Sequence, residues 1–191
     1  MLIFGSHGFI YESVRTKIAA QVKDFSGRLL IIPLACMFPE SAVEKEREGA
    51  VRLGYKRENI DVFDEARPDT FLNRRYDAIA VLGGNTFQLL YKVRQYGLER
   101  FIRQQITAGA HYFGFSAGAY LACRNIEYVK FFDDNNHIAD GCFDALGLTE
   151  SYFLCHFDYR SAEEIKMCRS ILGMEPELIT IGEDEVIVQD G

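Results

Sequence analysis

Along this chain, short and wholly apolar runs alternate with longer segments whose apolar residues recur every three to four positions. Residues 2–4, 29–34 (LLIIPL), 78–82 (AIAVL) and 112–115 are of the first kind. Apolar on both sides of the pleat, such runs predict strands covered on both faces, as in a parallel sheet. Pro33 predicts that the second run stops there, because proline cannot donate to a ladder. The intervening segments predict helices over about 11–22, 41–53, 85–93, 98–107, 117–123 and 161–172. Ser41 with Glu44, and Asn85 with Gln88, have capping-box spacing, Ser161 to Glu164 opens the last helix, and Gly54 is placed to end the second. Residues 178–181 and 186–188 predict closing strands, and the less regular stretch 126–141 predicts short strands or a hairpin. No repeat, linker or low-complexity tract interrupts the alternation, so the expectation is one α/β domain over residues 1–191.

Composition narrows the function classes. The 191 residues are 48% hydrophobic, with 15 Phe and 10 Tyr, enough to fill a substantial core, and the formal net charge is -7. A nucleic-acid partner is not expected, since phosphate contacts call for a basic face and Arg94, Arg100 and Arg103 are spread along predicted helices. The five cysteines, at 36, 123, 142, 155 and 168, are scattered with no Cys-x-x-Cys pair. That usage points to a reducing compartment. The first residues show no basic n-region, and no run approaches the roughly 20 apolar residues of a membrane span. The expectation is therefore a cytoplasmic protein with no membrane partner.

Gly114-Phe115-Ser116-Ala117-Gly118 fits G-x-S-x-G, the nucleophile-elbow pattern. A predicted strand precedes it, and a helix rich in small residues follows at once. A chain that reverses so sharply has no room for bulk beside the serine, and Gly114, Ala117, Gly118 and Ala119 meet that demand. The turn exposes the hydroxyl and aims the first helical N–H groups at a developing oxyanion. An ordinary glycine-rich turn with an inert serine has the same five residues, so the pattern needs a base to become chemistry. Of the four histidines, His111 stands at the far end of the strand leading to Ser116, and His7 follows the first strand as a substrate-contact candidate. His137 lies in a polar loop, whereas His156 ends the apolar run 152–154 at a loop mouth and is favoured over it. Gly83-Gly84-Asn85-Thr86 offers a second backbone donor beside the elbow; phosphate binding there is disfavoured because no lysine follows.

Three stretches in this order, Leu82-Gly83-Gly84-Asn85-Thr86-Phe87-Gln88-Leu89-Leu90, Gly114-Phe115-Ser116-Ala117-Gly118-Ala119, and Leu146-Gly147-Leu148 before His156-Phe157, resemble the peptidase E family. That family includes alpha-aspartyl dipeptidases and cyanophycinases, and the resemblance spans almost the whole chain. It implies a three-layer α/β/α sandwich with a mostly parallel sheet, similar to flavodoxin and to class I glutamine amidotransferases. It implies a serine peptidase acting on a small peptide or amide through an acyl-enzyme, with no metal or organic cofactor required. Ser116 would be the nucleophile, His156 the base, and the backbone N–H groups of Gly84 and Ala117 the oxyanion hole. A glutamate between the last strands orients the histidine in the family, which selects Glu183; Glu185, Asp158 and Asp133 remain its rivals. Asn85 and Thr86 would meet the substrate, and Arg160 either holds a substrate carboxylate or is a surface arginine. The chain is shorter than the usual dipeptidase, which leaves aspartyl specificity open, and homodimerisation is left open as well. Cys155 beside His156 reads as a buried structural cysteine. An esterase or amidase would use the same site, and a catalytically silent domain that binds a small ligand is the alternative from a different class.

Overall fold

The computed structural model describes residues 1–35, 40–138 and 141–190. The chain opens with β1 (Leu2–Gly5), α1 (Glu12–Gln21), β2 (Leu29–Ile32), α2 (Glu40–Leu53), β3 (Ile60–Val62), α3 (Asp69–Leu72) and β4 (Ala78–Val81). It continues with α4 (Thr86–Gln95), α5 (Leu98–Thr107), β5 (His111–Phe115) and α6 (Ala117–Ala122). β6 (Tyr152–Cys155), α7 (Ala162–Leu172), β7 (Leu178–Ile181) and β8 (Val186–Gln189) close it.

Six strands form one sheet in the order β3-β2-β4-β5-β1-β8, parallel except for β8, which runs antiparallel to β1. The period-two alternation of the strands divides the core. Leu2, Phe4, Leu30, Ile32, Ile79, Val81 and Tyr112 face one side and pack with α4, α5 and α6. Ile3, Leu29, Ile31, Ala78, Ala80, Phe113 and Phe115 face the other and pack with α1 and α2. Both faces are covered, as expected from strands without polar positions, and the layers are α/β/α with a mostly parallel sheet. Among the described residues, the remaining strands pair only with each other, as a two-stranded parallel sheet of β6 and β7 beside the first core face.

Two local expectations are corrected. The stretch 126–141 forms no strand among its described residues; it holds a 3-10 turn at Glu127–Val129 and turns. Tyr128 and Val129 are buried there, and the Asp/Asn-rich residues that follow bond their own backbone, with Asn136 N–H donating to Asp134 Oδ1. Such side chains compete with ladder pairing. Helix α2 begins at Glu40, so Ser41 lies in its first turn and does not cap it. The other two caps are present: Asn85 Oδ1 accepts from Phe87 N and Gln88 N, and Ser161 with Glu164 makes a reciprocal capping box. Among the described residues, no helix is long and apolar enough to cross a membrane.

Candidate active site

Neighbouring parallel strands β4, β5 and β1 deliver three loops to one edge of the sheet, the carboxyl end where α/β folds bind ligands. Ser116 follows β5 with φ 51° and ψ -110°, a backbone region that a residue bearing Cβ adopts only at a cost of about 1–3 kcal/mol. The elbow is held from every side. Ser116 N–H donates to Gly5 O, Tyr112 Oη donates to Gly118 O, and Gly118 lies so close to β4 that a Cβ there would sit 2.1 Å from Val81 O. Gly84, with φ 135°, brings its loop against Ala35, where a Cβ would stand 2.0 Å from the carbonyl oxygen.

His156 directly follows β6, itself in the left-handed region with φ 59°. Its Nε2 lies 3.0 Å from Ser116 Oγ and its Nδ1 lies 2.8 Å from Glu183 Oε1. A carboxylate only accepts, so Nδ1 carries the proton and Nε2 presents a lone pair to the serine hydroxyl. The imidazole is placed by backbone contacts. Ser6, 3% exposed, accepts from His156 N–H and donates to Ile181 O, each at 2.9 Å, so it ties the end of β1 to the ends of β6 and β7. Glu183 sits in the turn between β7 and β8, where its own N–H donates to Asp158 Oδ2 at 2.8 Å.

The rivals to Glu183 occupy other places. Asp158 supports the Glu183 turn, Glu185 Oε2 accepts from Gly182 N–H, and Asp133 Oδ2 accepts from both N–H and Oγ of Thr86. Asn85 is spent on capping α4 and on Asp134 O, and Thr86 is buried. Their side chains hold the loop after β4 rather than face the pocket. Arg160 also stands away from the pocket lining: its guanidinium bonds Cys155 O and Glu164 and lies 3.8 Å from the Phe132 ring centroid. His137 packs near Tyr91, and His111 begins β5 at the opposite end of the sheet.

The pocket has a volume of about 480 Å³ and is bounded by Ser6, His7, Tyr11, Glu46, Gly83, Ser116 and His156 with apolar neighbours. His7, a substrate-contact candidate in the sequence, lines this pocket, but its bond to Glu183 is not foretold there. Its Nε2 bonds the second oxygen of Glu183, its ring stacks on Tyr11 with centroids 4.0 Å apart, and it stands edge-on to His156. His7, His156 and Glu183 each bring a ligating atom within 4.8 Å of the others. Glu46 carries no sequence signal either; burial pushes its carboxyl up to about 7, against the opposing pull of the Ile10 and Phe9 N–H groups. Cys155 is fully buried and burial pushes its thiol up to about 12, so it stays a neutral packing group.

A doubly covered α/β sheet with a strained serine elbow, bonded to an imidazole and through it to a carboxylate, defines a nucleophile-elbow protein of the α/β class. The family can be named more closely. A model of peptidase family S51 matches residues 1–191, and the chain belongs to that family. It is 34% identical over 125 residues, 64% of its length, to the uncharacterised peptidase Lmo0363 of Listeria monocytogenes. It is 38% identical over 112 residues, 56% of its length, to peptidase E of Salmonella arizonae. These matches span 61% and 48% of the two relatives, less than two thirds of either. Among solved structures, that of a candidate peptidase E protein from Listeria monocytogenes superposes with a TM-score of 0.76 at 26% identity, covering 97% of this chain and 91% of the other.

Proposed function

We propose that this chain is a serine peptidase or amidase for small substrates, using Ser116, His156 and Glu183 as a triad. The observation that carries the reading is the continuous relay from Ser116 Oγ to His156 Nε2 at 3.0 Å and from His156 Nδ1 to Glu183 Oε1 at 2.8 Å, on a serine with φ 51°. In this reaction Ser116 Oγ attacks the substrate carbonyl as its proton passes to His156 Nε2. Glu183 steadies the imidazolium, and the N–H groups of Gly84 and Ala117 receive the oxyanion. His156 then gives its proton to the departing amine, leaving an acyl-ester on Ser116. Water, deprotonated by His156, resolves that ester. Membership of family S51 and likeness to proteins named peptidase E support the same reading. The whole chain of 1–191 would act as one catalytic domain.

The pocket chemistry favours a substrate with an uncharged residue on its acyl side. Aspartate would need a cation, and no lysine or arginine lines the pocket among the described residues, whereas Glu46 adds a carboxyl to walls of Ile10, Val43 and Leu82. The deciding experiment is treatment with a fluorophosphonate probe followed by mass mapping, which should mark Ser116 alone. An unlabelled chain would point to the silent ligand-binding alternative. A dipeptide panel should then show apolar residues cleaved ahead of aspartate; the reverse order would restore aspartyl specificity.

A further inference from the structure

The two histidines and the carboxylate at the pocket mouth make more than a relay. His7 Nε2 and His156 Nδ1 each bond one oxygen of Glu183, and ligating atoms of all three lie within 4.8 Å of one another. Their side chains are 24%, 29% and 21% exposed, so an ion from solvent can reach them. Two imidazoles and a carboxylate, with the remaining position open to water, are the ligand set of open zinc sites. Imidazole selects such borderline ions over magnesium or calcium. On a tetrahedral ion with bonds of about 2.0–2.2 Å, ligand atoms stand roughly 3.3–3.5 Å apart, so small side-chain shifts would close the present cluster. The surrounding turn is acidic, with Asp184 and Glu185 following Glu183 and Asp158 bonded to its backbone. Lys17 is a cation on that turn, and it bonds the Asp184 carbonyl.

We propose that His7, His156 and Glu183 form a binding site for a divalent transition cation of the zinc class, whose occupation switches off Ser116. The switching half rests on the triad reading above. An imidazole that gives its Nδ1 lone pair to a metal must keep its single proton on Nε2. Nε2 is the atom that faces Ser116 Oγ, so the bound metal leaves the serine without an acceptor. The same ion takes Glu183 from its role beside the imidazole. His7 is what turns a triad into a three-ligand site, since without it only one imidazole and one carboxylate remain.

The test uses zinc chloride on the full chain, with calorimetric titration for binding and fluorophosphonate labelling for function. Wild type should take up one zinc per chain in the presence of excess magnesium. Its labelling should fall at least about tenfold on saturation and return with a chelator. Changing a group that only orients a ligand weakens metal sites by about 10–100-fold, so losing a ligand itself in His7→Gln should weaken zinc binding by roughly 100-fold or more. Each variant's labelling is referred to its own metal-free rate, and His7→Asn, whose zinc-dependent rise in Tm should be smaller than that of wild type, stands in if the glutamine variant folds poorly. Equal zinc affinity in wild type and His7 variants, or no stoichiometric uptake, overturns the site. Stoichiometric zinc with unchanged labelling overturns the switch. If the metal-free chain never labels yet binds one zinc that His7→Gln loses, the hydrolase reading fails and the metal site stands.

Discussion

The proposed nucleophile and the groups proposed to activate it come from two unlike parts of the molecule. Ser116 stands on a strand, turn and helix of the large sheet in which residues 112–115 and 117–122 are all buried. His156 and Glu183 hang from the separate pair β6 and β7, and of the four residues of β7 only Ile181 is buried. The first part is fixed by local sterics, since small residues at 114 and 117–119 leave the elbow one way to turn. The second is fixed by a few long-range bonds: Ser6 to His156 and Ile181, Tyr120 Oη to Cys155 N–H, Tyr128 Oη to Phe153, and Asp158 to Glu183. Stability and reactivity should therefore separate on the elbow and stay coupled on the β6–β7 side.

The sharpest way to break that contrast is Ser116→Ala. The hydroxyl contributes little packing, so Tm should move by less than about 3 °C, while labelling and hydrolysis fall by about 10⁴-fold or more, in line with other triads. Residual activity above a few per cent removes Ser116 from its role. Next in size is Glu183→Gln, which keeps the shape but lets an amide N–H face the imidazole and favours the wrong tautomer; turnover should drop about 10²–10⁴-fold. Asp158→Asn loosens the turn and should cost about tenfold, with Glu185→Gln and Asp133→Asn below that. If Asp158→Asn is the crippling change while Glu183→Gln is tolerated, the assignment of the acid is overturned.

The same contrast explains what the sequence shows and what it hides. Apolar runs without alternation are a local signal, so β1, β2, β4 and β5, with α4 to α6, are legible to within a residue or two. The short β3 and α3 leave too little pattern, and the Asp/Asn-rich stretch near 133 reads as strand only when its turn chemistry is underweighted. Ser116 carries its signal in its neighbours' sizes. Glu183 among three nearby acids is picked out by family resemblance, because an acid's partner lies in the fold and leaves no trace in spacing. His7, Ser6 and Glu46 act through residues 36 to 176 positions away, and nothing local announces such bonds.

Ser6→Ala probes the long-range side directly. It strands a buried carbonyl at Ile181 and a part-buried N–H at His156, for a loss of about 2–4 kcal/mol and about 5–15 °C in Tm. Activity should fall with stability here, unlike at Ser116, because the imidazole loses its backbone anchor. A Ser6→Ala protein with wild-type kcat and a lowered Tm would show that the imidazole is positioned without the Ser6 bonds, by packing and the Tyr120 and Tyr128 contacts to β6.

The smallest effect belongs to the loop that bridges the two parts, residues 6–10, which Glu46 anchors from α2 by accepting Ile10 N–H. Burial raises the Glu46 carboxyl from 4.5 to about 7. The native state therefore holds this proton in a range where the unfolded chain has released it. Stability from this group is full below about pH 4.5 and declines as pH rises to about 7; above that the whole penalty of a buried charge is present. Glu46→Gln keeps an acceptor for Ile10 and carries no charge, so it should gain on wild type as pH rises. The difference should be near zero at pH 4.5 and about 1–3 kcal/mol in favour of the variant at pH 8, because each tenfold change in proton affinity between the folded and unfolded chains is worth about 1.4 kcal/mol. Thermal melts of both proteins at the two pH values measure it. A gap that is constant with pH would mean that Glu46 titrates as an exposed acid does, and the bridging loop would then be held by Arg15, which bonds Phe9 O and Ile10 O from its other side.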